Sequence, residues 1–157
     1  MTTTASPRAP LALAGFVAAV AVVAVAGALS SMNARSVYES LELPGWAPPP
    51  WLFGPVWTVL YAMIAVSGWL YWRAGGDRRG LGVYGVGLVL NLAWTPLFFA
   101  AGAYELALVD IVLLDVAVVA SIILFWRRSR LAAWLQVPYL VWILYASALT
   151  VSIVILN

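Results

Sequence analysis

Length, composition and charge together place this chain in a membrane. It has 157 residues, of which 65% are hydrophobic and only 9% are charged, and its mean hydropathy is +1.01. A soluble domain would carry about a quarter charged residues. A chain this short cannot hide so much apolar surface inside one globule. The sequence therefore predicts an integral membrane protein.

The sequence contains neither cysteine nor histidine. This excludes disulfides, thiol chemistry, a histidine-ligated haem and any nucleophile paired with histidine, and we expect no metal site. The net charge of +2 comes from arginines clustered in particular loops. We interpret the arginines as a topology signal and expect no nucleic-acid partner.

Apolar segments long enough to cross a bilayer follow one another along the chain. A span needs about 20 apolar residues at a rise of ~1.5 Å per residue. The sequence predicts an all-α membrane protein, a bundle of five transmembrane helices in a single domain of residues 1–157. We place the spans at residues 11–31, 50–72, 81–101, 106–126 and 131–156.

Particular residues within some of these segments affect how the segments are interpreted. The run from Leu11 to Leu29 has a possible signal-peptidase site at its end, but it is long for a signal peptide, which favours a membrane anchor. Proline removes a backbone donor and bends helices. We therefore expect a bend near Pro55, a kink at Pro96 and an interruption at Pro138.

Charge is distributed unequally between the two sides of the membrane. One side carries Arg8, Arg73, Arg78, Arg79, Arg127, Arg128 and Arg130, and the other carries only Arg35, with Glu39, Glu42 and Glu105. The positive-inside rule then predicts a cytoplasmic N-terminus and an exterior C-terminus. No internal repeat is visible, so the sequence does not support an inverted-repeat transporter.

Aromatic and polar residues converge beneath the first long loop, which is rich in proline and stiff. Trp57 and Asn91 lie roughly 12–15 Å from the exterior face, and Trp142 lies near the midplane. This predicts a cavity for a flat apolar ligand, open to the exterior and capped by residues 38–51. Packing explains the deep tryptophans as well as a ligand does, and interhelical hydrogen bonding explains Asn91 equally well.

Two aspartates interrupt the fourth segment, where each costs about 3 kcal/mol. Asp110 and Asp115 point roughly 140° apart, so they do not form an acid–base pair. Asp110 is shallow enough to reach water. Asp115 lies deep and needs a partner that the sequence does not identify.

Several motifs occur in a fixed order along the chain. They are Tyr38-x-x-Leu41-x-x-Pro44-x-Trp46-x-Pro48-Pro49, Gly54-Pro55-Val56-Trp57-Thr58-x-Leu60-Tyr61, Asn91-Leu92-Ala93-Trp94-Thr95-Pro96-x-Phe98-Phe99, Ala107-Leu108-Val109-Asp110 and Pro138-Tyr139-Leu140-x-Trp142. Together they resemble the translocator protein family, also called tryptophan-rich sensory proteins or peripheral-type benzodiazepine receptors. The resemblance implies a five-helix bundle, commonly a homodimer, that binds porphyrins, haem and, in animal members, cholesterol and synthetic drugs.

The resemblance also implies a set of site residues. The family's pocket residues map onto Tyr38, Trp57, Asn91, Trp142 and Ala146. Trp57 and Trp142 match the tryptophans tied to light-dependent breakdown of protoporphyrin IX in some bacterial members, which makes them the catalytic candidates. We add Trp46, in the cap, and Arg35, the only cation on the pocket side, as a partner for a propionate.

The chain departs from the family pattern at several positions. Val37 replaces a frequent tryptophan, Leu43 a frequent lysine and Thr150 a frequent asparagine. The tyrosine and arginine of the animal sterol motif are absent after Leu149. We therefore expect cholesterol binding to be weak or absent.

Three functions follow from these observations. The first is a membrane sensory or regulatory protein that binds protoporphyrin IX or haem as a ligand, without a resident cofactor. The second is an enzyme for light-dependent porphyrin oxidation, in which Trp57 and Trp142 take part. The third is a transporter of a tetrapyrrole or sterol.

Overall fold

The computed structural model describes residues 8–157, and its regular elements there are helical. The helices are α1 (Arg8–Ser30), α2 (Ala34–Ser40), α3 (Phe53–Arg73), α4 (Arg78–Thr95), α5 (Tyr104–Trp126) and α6 (Arg130–Leu156). A 3₁₀ turn, Pro50–Leu52, leads into α3, and a π-helical turn, Pro96–Ala100, continues from α4. Within the described part there are 5 helices long and apolar enough to span a membrane. The all-α, five-helix class predicted from the sequence is confirmed.

The long helices form a closed ring. α1 packs against α3 and α4, α3 against α6, α4 against α5, and α5 against α6. Consecutive helices α3 and α4 barely touch, so the order around the ring is α1, α3, α6, α5, α4. A ring of five helices can leave an unfilled space along its axis. Side-chain packing between the helices determines where that space is filled.

Caps and glycines set the connections between helices. The carboxylate of Asp77 accepts a hydrogen bond from the N–H of Gly80 at 2.8 Å and so caps α4. The hydroxyl of Ser129 accepts one from Ala132 and caps α6. Gly75 has a φ of 74°, which L-residues with side chains rarely adopt, so glycine allows the tight turn after α3.

The three prolines for which the sequence predicted an effect on helix geometry differ in what they do in the structure. The 3₁₀ turn ends just before Pro55, which lies in the first turn of α3. At Pro96, where the sequence predicted a kink, the regular α4 ends and the π turn begins. The predicted interruption at Pro138 is wrong, because α6 continues through it from Arg130 to Leu156. Packing of α6 against α3 and α5 compensates for the missing backbone bond.

The connection between α1 and α3 contains the short helix α2, where the sequence predicted only a loop. α2 has seven residues and buries Tyr38. Tyr38 packs with Phe98, Ala107, Leu149 and Ile153 in a small core of its own. This core fixes α2 and the proline-rich segment onto the ends of α4, α5 and α6.

The opposite end of the bundle is tightly packed. The rings of Tyr71 and Phe125 stack with centroids 4.0 Å apart and an interplanar angle of 6°. The Ser67 hydroxyl donates to the carbonyl of Ala132 at 2.7 Å, which joins α3 to α6. Such bonds are well suited to a membrane interior, where water does not compete. The ring is therefore closed at this end and open beneath α2.

Candidate ligand-binding cavity

A cavity of about 510 Å³ lies inside the ring beneath α2. Its volume falls within the ~300–1,000 Å³ typical of small-molecule sites. All five long helices and α2 contribute to the wall. Lining residues include Gly27, Arg35, Tyr38, Phe53, Trp57, Tyr61, Asn91, Trp94, Thr95, Phe99, Leu114 and Ile143.

Asn91 is the centre of a hydrogen-bonded group on the cavity wall. Tyr61 donates its hydroxyl proton to Asn91 Oδ1 at 3.0 Å, and Asn91 Nδ2 donates to the Tyr139 hydroxyl at 3.0 Å. These bonds connect α3, α4 and α6 and fix the orientation of the amide. An amide has two N–H donors and a carbonyl with two lone pairs. Asn91 therefore retains one donor and one acceptor site for a ligand.

Aromatic faces surround this polar group. Trp57 lies 5.2 Å from Tyr61 and 6.2 Å from Tyr139, measured between ring centroids. Trp94 stacks on Phe98 at 4.9 Å. The buried Nε1 of Trp94 has no hydrogen-bond partner among residues 8–157. A buried donor without a partner is costly.

Hydrogen bonds hold the proline-rich cap in place. Tyr38 is 4% exposed and donates its hydroxyl proton to the carbonyl of Pro48 at 2.9 Å. Burial, with a smaller contribution from nearby Tyr145, raises the pKa of Tyr38 to about 12, so it remains a donor at physiological pH. Tyr145 of α6 donates to the carbonyl of Trp46 at 2.9 Å.

Asn157 makes a further connection to the cap from the end of α6. Its Oδ1 accepts from the N–H of Glu42 at 3.0 Å, and its Nδ2 donates to the carbonyl of Glu42 at 3.1 Å. The side-chain amide thus pairs with both backbone groups of one loop residue. The cap is an ordered part of the cavity, tied to the C-terminal end of α6.

Arg35 lies at the mouth of the cavity, with 81% of its side chain exposed. Its Nε donates to Glu39 Oε1 at 2.8 Å, and this hydrogen bond and the carboxylate charge raise the pKa of the guanidinium. An ion pair this exposed contributes little to stability. Arg35 can therefore exchange Glu39 for a ligand carboxylate at small cost.

The structure divides the predicted ligand-binding residues into two groups. Arg35, Tyr38, Trp57 and Asn91 line the cavity, whereas Trp46, Trp142 and Ala146 do not. Trp142 lies behind Phe53, with ring centroids 5.9 Å apart, and its buried Nε1 has no partner in the described part of the chain. Trp46 is 47% exposed and packs edge-on against Tyr145 at 5.6 Å. Ala146 packs against the main core of the bundle.

Both aspartates of α5 lie outside the cavity wall. Asp110 is 9% exposed, and its buried Oδ2 has no partner among residues 8–157. Asp115 Oδ2 accepts a hydrogen bond from the Ser147 hydroxyl at 2.7 Å. Ser147 is the partner that the sequence left unidentified. It lies on α6, the neighbour of α5 in the ring.

Sequence reasoning also missed part of the wall, especially Gly27 and Tyr61. A Cβ at Gly27 would lie 3.7 Å from Thr95 Oγ1 and 3.9 Å from the Tyr61 hydroxyl oxygen. Gly27 thus brings α1 close to the polar wall without filling the cavity. In the sequence, the only indication of a close approach at this position was the glycine itself. The packing of α1 then shows that Gly27 faces α3 and α4.

These features define a class: a multi-pass membrane protein whose helical bundle encloses a cavity lined by aromatic and polar side chains. The model of the TspO/MBR family matches residues 16–156, so the chain belongs to that family, as its motifs predicted.

Curated relatives agree with this assignment. The chain is 42% identical to the tryptophan-rich protein TspO of Archaeoglobus fulgidus over 142 residues, which covers 87% of this chain and 92% of the relative. It is 39% identical to the human translocator protein over 117 residues, covering 71% and 69%. It is 32% identical to the tryptophan-rich sensory protein of Cereibacter sphaeroides over 142 residues, covering 90% and 89%.

Proposed function

We propose that the protein is a membrane sensory or regulatory protein that binds a tetrapyrrole, protoporphyrin IX or haem, in the cavity beneath α2. The observation that carries this proposal is a largely apolar wall with a few fixed polar groups. The name of the Cereibacter sphaeroides relative, a sensory protein, supports the regulatory part.

The chemistry of the wall suits a flat, amphipathic macrocycle. Trp57 and Trp94 offer indole faces against which a conjugated ring can stack. Asn91 offers a donor and an acceptor near the middle of the wall. Arg35 lies where a carboxylate at the ring's edge would reach the mouth, and a guanidinium can bind it through two parallel N–H bonds.

The residue types in the chain also predict how the iron of haem affects the affinity for the porphyrin ring. The chain has no histidine or cysteine, two common protein ligands of haem iron, so the proposed recognition relies on the ring and its carboxylates. We therefore expect the metal-free porphyrin and its iron complex to bind with similar affinity.

Porphyrin titration into the detergent-solubilised protein tests the proposal. Trp57→Ala should weaken binding of protoporphyrin IX about tenfold, because aromatic stacking contributes ~0.5–1.5 kcal/mol beyond the buried area. Trp134→Ala is the matched control, since Trp134 is 58% exposed and lies outside the cavity wall. Equal losses in both variants, or no saturable binding by the parent, would contradict the proposal.

A second titration isolates the part played by Arg35. Arg35→Gln should weaken binding of protoporphyrin IX but leave binding of its dimethyl ester unchanged, because the ester has no carboxylate. If the substitution affects both ligands equally, Arg35 does not bind the propionates.

Illumination of the same samples separates the enzymatic alternative from simple binding. If the protein degrades porphyrin in light, Trp57→Phe and Trp142→Phe should slow bleaching strongly while changing affinity only modestly. Bleaching at the parent rate in both variants would remove these indoles from any catalytic role.

Sterol binding should be weaker than porphyrin binding by at least tenfold, or about 1.4 kcal/mol. The hydroxyls near the exterior end of α6 are already engaged by their own helix. Thr150 donates to the carbonyl of Ala146 at 2.8 Å, and Ser152 donates to that of Ala148 at 3.1 Å. Titration of cholesterol and protoporphyrin IX side by side measures the difference, and equal affinities would contradict this expectation.

A further inference from the structure

The tightly packed end of the bundle carries a continuous basic surface, separate from the cavity. We call it the arginine surface; it consists of Arg73, Arg78, Arg79, Arg127, Arg128 and Arg130, all of them exposed. The stacked rings of Tyr71 and Phe125 hold the α3–α4 and α5–α6 turns side by side. The charge of Arg128 reaches Asp77 across the two turns.

This surface has almost no negative charge of its own. Asp77 is the one acidic residue in either turn, and its Oδ1 already accepts hydrogen bonds from the Gly80 N–H and the Tyr71 hydroxyl. None of these arginines forms an ion pair with a carboxylate within the described part of the chain; the pair recorded there is Arg35 with Glu39. Their mutual repulsion is therefore not offset inside the protein.

Four long helices begin or end at this surface. α4 begins at Arg78 and α6 begins at Arg130, so both present the positive ends of their dipoles to this surface. Cations are stabilised at helix C-termini and disfavoured at N-termini. Arg78 and Arg130 thus lie where the helix dipoles repel a cation, and an anion from outside would relieve that repulsion. Arg73, Arg127 and Arg128 lie instead at the C-terminal ends of α3 and α5, where cations are favoured.

Aromatic contacts fix the height of the surface in the bilayer. The guanidinium carbon of Arg73 lies 5.1 Å from the ring centre of Trp69, and that of Arg130 lies 5.5 Å from Trp126. Trp126 is 45% exposed and packs edge-on against Trp134. Exposed tryptophans at helix ends settle at the level of the lipid headgroups. We therefore expect the guanidiniums paired with them to lie at the height of the lipid phosphates.

We propose that the arginine surface binds the headgroups of anionic phospholipids in the leaflet that it faces. The guanidiniums bind lipid phosphates through paired N–H bonds, for which arginine has the right geometry. Basic surfaces next to transmembrane helices recognise anionic lipids in this way. The cation–π contacts hold the arginines against the interface, which favours a lipid over an acidic segment of a soluble protein.

Lipid titration into the full-length protein in a zwitterionic detergent tests the proposal, with the thermal unfolding temperature as readout. Phosphatidylglycerol should raise this temperature at concentrations several-fold lower than phosphatidylcholine does. The difference should shrink in high salt, which screens exposed charges. Arg127→Gln and Arg128→Gln should each weaken the response to phosphatidylglycerol about fivefold. Arg35→Gln, at the opposite end, is the matched control and should leave it unchanged.

Further titrations test whether a ligand other than an anionic lipid binds the arginine surface. Inorganic phosphate that stabilises the protein as well as phosphatidylglycerol would indicate a site for free anions and overturn the lipid assignment. A soluble acidic peptide that saturates at lower concentration than the lipid would assign the surface to a protein partner instead. Equal responses to the two lipids, or a full response in the Arg127→Gln/Arg128→Gln double variant, would also overturn it. Unfolding of each variant without added lipid shows that it is folded, and the Arg127→Gln and Arg128→Gln variants should bind porphyrin with the affinity of the parent.

Discussion

Asn91 connects three helices through a single side chain. Its bonds to Tyr61 and Tyr139 join α3, α4 and α6 at the wall of the cavity, and it is 4% exposed. An unpaired polar group in this place would be costly, since no water is available to replace the partner. The same side chain therefore contributes to the bundle and shapes the cavity.

We expect Asn91→Ala to lower the free energy of unfolding by about 1–2 kcal/mol, because hydrogen bonds between membrane helices contribute ~0.6 kcal/mol on average and up to ~1.7 kcal/mol each. Tyr61→Phe removes only one of the two bonds and should cost about half as much. Unfolding in mixed micelles measures both variants. Equal stability losses would show that the bond to Tyr139 contributes nothing.

The bond between Asp115 and Ser147 gives a second prediction. Ser147→Ala should destabilise the protein because the Asp115 carboxyl loses the hydrogen bond to α6, whereas in the Asp115→Leu background the same change should cost much less. A double-mutant cycle should give a coupling of about 0.6–1.7 kcal/mol. Asp115→Leu should leave porphyrin binding intact, since Asp115 does not line the cavity. A coupling near zero, or lost binding in a folded Asp115→Leu protein, would contradict this assignment.

At the scale of helices, Gly68 of α3 leaves room for the Phe16 ring of α1 and the Tyr84 ring of α4. A Cβ at this position would lie 2.8 Å from Tyr84 Cζ and 2.9 Å from Phe16 Cδ1. Tyr84 has little freedom to move, because its hydroxyl donates to the carbonyl of Ile64 at 3.0 Å. A single methyl group would therefore push three helices apart.

Gly68→Ala should lower the unfolding free energy by about 1–3 kcal/mol, the usual cost of overpacking a core. Gly85→Ala, on α4, is the matched control, because a Cβ there has no other atom within 4 Å. The control should be neutral or stabilising by about 0.5–1 kcal/mol, since alanine favours helix over glycine. Thermal unfolding measures the stability of both variants. A Gly68→Ala protein as stable as the Gly85→Ala control would contradict the packing argument.

At the scale of the whole molecule, the two ends of the bundle differ in both packing and charge. The arginine surface lies at the closed end, and the cavity opens at the end that carries Glu39, Glu42 and Glu105. From the positive-inside rule we expect the closed end to face the cytoplasm. A ligand would then enter the cavity from the exterior side.

This orientation predicts that alkaline phosphatase fused to the C-terminus is active in the bacterial periplasm. A fluorescent protein that folds only in the cytoplasm should stay dark at the same position. Fusions of both reporters to the α3–α4 turn, near Asp77, serve as the control and should behave in the opposite way. An inactive phosphatase together with a bright C-terminal fluorescent fusion would reverse the orientation.

The sequence by itself determined the number and approximate bounds of the membrane-spanning helices, the separation of charge between the ends and the family. These properties depend on residues close together in the chain: a run of apolar residues spans the bilayer wherever its neighbours lie, and arginines in short loops stay near the membrane surface. Counting residues along each helix also gave the depths of Trp57 and Asn91, which do line one cavity.

Only the tertiary structure decided how the helices are arranged around that cavity. Depth does not fix the rotation of a helix about its axis, nor which helix lies beside it, because both depend on side-chain packing between distant segments. Thus α3 lies beside α6 and barely touches α4, Ser147 meets Asp115, and Trp94 joins the cavity wall while Trp142 lies behind Phe53. The Tyr38 core likewise forms only when the ends of α4, α5 and α6 come together, so the residues of the first long loop alone could not show how the cap is held.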